Sequence, residues 1–128
     1  MLRAAFLSLM IVTAPALADG GVTVPLPEIP QLSPPEYEHL LMQLVVANVV
    51  AQNCPSHAPT DEEWALLTGS ADIVAERLGL DSAAYDDRFY HPAFAFLDKP
   101  DTCAREVPRI APLVARLIAW GGALEPHE

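Results

Sequence analysis

The chain has 128 residues, 52% of them hydrophobic and 19% charged, with a formal net charge of −10. Seven Lys and Arg against 17 Asp and Glu argue against nucleic acid, whose binding runs on cationic side chains, and against an anionic membrane surface. The length predicts one domain, large enough for a core yet small enough to gain from a covalent staple.

Residues 1–18 read as a secretory signal peptide. Arg3 supplies the positive start, Ala4 to Ala14 the apolar stretch, and Ala16-Leu17-Ala18 the small residues a signal peptidase requires. Cleavage is expected between Ala18 and Asp19. The stretch is shorter than the roughly 20 apolar residues of a membrane span, so no stable membrane insertion is expected after cleavage. Losing Arg3 takes the formal charge from −10 to −11. The expected location is the periplasm, an oxidising compartment. There the two cysteines, Cys54 and Cys103, 49 positions apart, are expected to form one disulfide. Closing a loop of that length stabilises a fold by about 4 kcal/mol in the chain-entropy model.

Residues 19–32 form a proline-punctuated arm, with Pro25, Pro27 and Pro30 among Val22, Val24, Leu26 and Ile29. Such prolines favour an extended backbone, and the apolar side chains predict docking on the chain's own helices, with a partner surface as the alternative. A helical domain is expected over residues 33–124, and residues 125–128 are left as a tail. The first helix is expected from Ser33, which with Glu36 makes a capping box and is followed by Pro34 at the first helical position. It runs to about Asn53 and is apolar nearly all round, as a central helix is. Its polar stripe is Glu36, His39, Gln43 and Ala47, with Asn48 and Gln52 near the edge.

Cys54-Pro55 ends that helix, and Thr60 with Glu63 predicts a second capping box. Trp64, Leu67, Ala71, Val74 and Leu78 recur at helical spacing before Gly79, a natural C-cap. Asp81 or Ser82 caps a third helix, which Pro92 is expected to kink or end near His91. Asp98-Lys99-Pro100-Asp101 reads as a turn. The last helix carries Cys103, Val107, Ile110, Val114 and Leu117 on one face, with a kink or restart expected at Pro108 and Pro112 inside the same stretch. No hairpin or alternating strand pattern appears. The predicted fold is all-α: about four helices stapled by one disulfide, with a Pro-rich N-terminal arm.

Chemistry-bearing patterns are scarce. There is no nucleophile elbow, no zinc-protease helix, no phosphate loop and no calcium loop. His39, His57, His91 and His127 lack a second ligand at three or four residues. No cofactor, no metal and no catalytic residue is expected. Tyr85, Phe89, Tyr90, Phe94 and Phe96 bunch in the third helical stretch, either as core or as a contact patch. Arg105, Arg109 and Arg116 lie near one face of the last helix, either balanced by neighbouring acids or as a docking strip for an acidic partner.

The run Asn53-Cys54-Pro55-Ser56, a helical stretch ending at Leu78-Gly79, an acidic helix and a second cysteine at Cys103 before a closing helix together resemble a family of small secreted bacterial all-helical proteins of unknown function. The resemblance covers about residues 40–118 and implies a fold and a compartment but no mechanism. The architecture alone is also similar to small acid-activated periplasmic chaperones, which are richer in lysine than this chain, whose one lysine is Lys99. The function expected is a non-catalytic periplasmic module that binds an unidentified envelope protein. Tyr85, Phe89, Tyr90, Phe94, Arg105, Arg109 and Arg116, or the arm, would form the contact. An acid-responsive chaperone is the alternative, and a homodimer fits either reading.

Overall fold

A computed structural model describes residues 22–127, so the predicted leader and the Ala18–Asp19 cleavage point lie outside the described residues. Four helices make up the domain, and no strand occurs among the described residues. Helix α1 (Pro34–Asn53) is central and packs against the other three. Leu41, Leu44, Val45 and Val50 are fully enclosed. At its start the Glu36 carboxylate accepts both the Ser33 N–H and the Ser33 hydroxyl, each at 2.8 Å.

Helix α2 (Asp61–Arg77) begins where Thr60 Oγ1 accepts the Glu63 N–H at 3.1 Å. The expected reciprocal half of that capping box is absent. The Glu63 carboxylate instead meets His57 Nε2 at 2.6 Å, bracing the loop beside Cys54. Gly79, at φ 67°, provides the left-handed residue that turns the chain off α2.

The third helix, α3, is one continuous run over residues 82–96. It has an α-helical turn at Ser82–Tyr85, a π-helical turn at Asp86–Tyr90 and an α-helical segment His91–Phe96. Asp81 is its cap, accepting the Ala84 N–H at 2.8 Å. Pro92 does not end it. In a regular α-helix the Pro92 ring would collide with the carbonyl four residues back. The wider turn avoids that by passing the His91 N–H to the Asp86 carbonyl, five residues back.

Helix α4 (Thr102–Ala119) runs through Pro108 without the restart that was one of the two expected outcomes there. Pro108 and Pro112 are four residues apart and both exposed. The carbonyls they leave unbonded therefore face water, which replaces the missing donors.

Cys54, the C-cap of α1, is bonded to Cys103 in the first turn of α4, with Cα atoms 5.6 Å apart. Because α2 and α4 both start at this end of α1, both run antiparallel to it. The arm lies on the bundle, burying Val24, Pro27 and Ile29. It also pairs with the segment after α4. The Glu28 N–H donates to the Trp120 carbonyl (2.8 Å), the Ala123 N–H to Pro25 (3.1 Å) and the His127 N–H to Thr23 (2.8 Å). One partner's number rises as the other's falls, so the two extended segments are antiparallel. Prolines cannot donate, which is why most donors come from the C-terminal side. Residues 125–127 are thus part of this clasp.

Candidate groove between the first and last helices

The aromatic bunch divides once folded. Phe89 is buried against the core, and Tyr85 and Tyr90 are half-buried in an edge-to-face pair with ring centroids 5.1 Å apart. Asn48 of α1 donates to the Tyr90 hydroxyl at 3.4 Å, and burial pushes the Tyr85 phenol well above its usual range. Phe94 alone of these four is exposed, at 50%. Phe96, half-buried, carries Lys99 over its ring at 5.1 Å.

The arginines of α4 divide as well. Arg105 closes on Asp101, the residue just before the helix, at 2.9 Å. Arg109 is 71% exposed and reaches Glu106 only at 3.6 Å, and Glu106 stands equally far from Arg105. Arg116 is exposed and has no ion-pair partner among the described residues. The remaining described cations are committed within the fold. Arg77 donates to arm carbonyls, Arg88 pairs with Glu38 at 3.0 Å, and Lys99 sits on Phe96.

Arg109 and Arg116 flank a trough where α4 and α1 leave a flank of α1 uncovered. One section is a cavity of about 220 Å³ with Met42, Val46 and Ala47 of α1, Leu113 of α4 and Phe96 around it. His39 and Gln43 line this section and also the next one, which extends toward Pro35, Leu40, Arg116 and Trp120. The polar stripe Glu36, His39, Gln43, Ala47 therefore lies along the trough. This explains how polar residues sit on a helix that is otherwise core: no other helix covers that side. Gln43 Oε1 is buried and has no protein hydrogen-bond partner among the described residues, an arrangement that costs about 1–3 kcal/mol when left unmet.

Among the described residues, no three His, Cys, Asp or Glu side chains converge as metal ligands, and no helix is long and apolar enough to cross a membrane. His57 and Glu63 form a close pair, but His57 is held by the loop and no nucleophilic side chain adjoins it in the described hydrogen bonds. Sequence reasoning singled out Arg109 and Arg116 but missed Met42, Val46, Phe96 and Leu113 as their companions. The interrupted polar stripe of α1 was the available signal. No known protein family, curated relative or solved structure matches the chain, so the residues of the trough carry the functional reading.

Proposed function

We infer that this is a non-catalytic periplasmic module whose α1–α4 trough is the contact surface for another envelope protein. The observation that carries the reading is the unmatched lining: apolar Met42, Val46 and Leu113 beside the unpaired Gln43 carbonyl and the weakly engaged Arg109 and Arg116. Apolar floor with polar and arginine rim is the composition of protein contact sites. The arm is a weaker contact surface, because Val24, Pro27 and Ile29 and several of its carbonyls are already used inside the fold.

Gln43→Trp tests the reading by filling the cavity from within. The oxidised mature protein and this variant are immobilised and exposed to an envelope extract. The expected result is an unchanged helical spectrum and a captured protein that the variant no longer retains. Equal capture by both, or capture by neither, overturns the reading.

A further inference from the structure

We propose that the trough takes an acidic amphipathic helix, laid along α1 as a fifth member of the bundle. Three observations lead there. First, α1 is contacted by α2, α3 and α4, and the trough beside α4 leaves a further strip of it, with His39 and Gln43, open along its length. From Pro35 to Ala47 the lining of α1 extends about 18 Å, or more than three helical turns. Second, Arg109 and Arg116 stand two turns apart on the α4 side, about 10.5 Å along the axis. A helix presents carboxylates at that spacing from positions i and i+7, and its i+3 and i+4 side chains fall between them, over Met42, Val46 and Leu113. Third, these two guanidiniums are the cations the fold leaves weakly engaged or free, so their donors are available for bidentate carboxylate contacts.

The acids around the trough do not block this. Glu36 is turned back on Ser33, and Glu106 can stay with Arg105 when Arg109 turns to the ligand. The chain's other negative charge is distributed over the whole molecule, and interactions beyond about 8 Å are largely screened at physiological ionic strength.

The inference rests on the reading of the trough as a contact surface. Its test uses a synthetic helical peptide of about sixteen residues, about 24 Å long. It carries Glu at i and i+7 and Leu at i+3 and i+4. Its counterpart has Lys in place of both Glu. Trp120 lines the trough, so the Trp64→Phe variant reports binding through Trp120 emission alone. The Glu peptide is expected to change that emission. In the Arg109→Glu/Arg116→Glu background its affinity should fall by roughly tenfold or more, and the Lys peptide should bind instead. No response up to about 1 mM, the weak limit of specific affinity, overturns the proposal. So does binding that ignores the charge reversal. Arginine-dependent binding of decanoate without binding of the peptide also overturns it, by assigning the trough to an amphiphile. Loss of captured protein in Gln43→Trp with no peptide binding leaves the contact surface standing and removes only the acidic helix.

Discussion

Arg77 Nη1, in the last turn of α2, donates to the Ile29 carbonyl of the arm at 2.6 Å, across 48 residues of sequence. The same nitrogen reaches the Pro30 carbonyl (3.2 Å) and the Tyr37 hydroxyl (3.1 Å), and the guanidinium stands over the Tyr37 ring at 5.7 Å. One cation thus joins α2, α1 and the arm. Arg77→Ala should destabilise the protein by about 1.5 kcal/mol, the lower end of the range for hydrogen bonds to a charged group, because the site is partly exposed. Urea denaturation measures the loss. Limited proteolysis should show new cuts within residues 22–31, whereas cuts confined to the interhelical loops would contradict the anchor.

The disulfide closes the end of α1 onto the start of α4. Replacing Cys54 and Cys103 by Ser should cost about 2–5 kcal/mol and appear as a fall in the urea midpoint. Addition of a reductant to the parent protein should reproduce the shift, and a midpoint that does not move would show that packing alone holds that corner.

Two glycines face close neighbours of different stiffness. A Cβ at Gly69 would meet Leu26 Cδ2 at 2.6 Å, but Leu26 is 41% exposed and can swing aside. A Cβ at Gly122 would meet Leu66 Cδ1 at 2.8 Å and the Leu117 carbonyl oxygen at 3.0 Å, between a fully buried side chain and fixed backbone. Gly69→Ala also gains about 1 kcal/mol of helix propensity, so its net effect should lie near zero. Gly122→Ala should cost about 1–3 kcal/mol. Thermal melts of the two variants separate the cases.

Acid should act through Glu36 and Asp72 with opposite signs. The Ser33 N–H, and then its hydroxyl, hold the Glu36 carboxyl below the usual range. Its folded pKa lies below the unfolded value of about 4.3. Its contribution is therefore complete above that value and fades as pH falls through the folded one. Desolvation raises Asp72, so its protonated form is the one the fold favours. Its contribution is present at low pH and lost as pH rises through the folded pKa. Glu36→Gln should lower the melting temperature at pH 7 and leave it unchanged near pH 2, whereas Asp72→Asn should raise it at pH 7. Melting curves at both pH values check the two signs.

The trough reading also expects one molar mass by light scattering at neutral pH and near pH 3. A neutral-pH dimer that dissociates in acid while keeping its helix would support an acid-responsive chaperone instead.

Helix starts were legible wherever a short-range hydrogen bond specifies them, as at Ser33, Thr60 and Asp81. The disulfide followed from having two cysteines in an expected oxidising compartment. Of the two outcomes expected at the prolines, a kink or an interruption, the interruption does not occur, because their effect depends on which face they occupy. Pro108 and Pro112 point to water, and Pro92 is accommodated by a π-turn that no local pattern announces. Glu63 was assigned to a cap and went to His57, because a partner six residues away competed with the local backbone. The arm's pairing with residues 120–127 joins opposite ends of the sequence, and periodicity does not reach that far. The trough was half legible: the α1 stripe and Arg109 and Arg116 were visible as separate features, but only packing brings them to one place.

The proposed contact surface is tested most directly in cells, with a photo-activated cross-linking residue placed at Val46 in the trough or at Ala83, an exposed position at the start of α3. The account predicts a discrete cross-linked product from Val46 that is absent from Ala83 and disappears when Gln43→Trp is added. Equal products from both positions, or none from Val46, would contradict it.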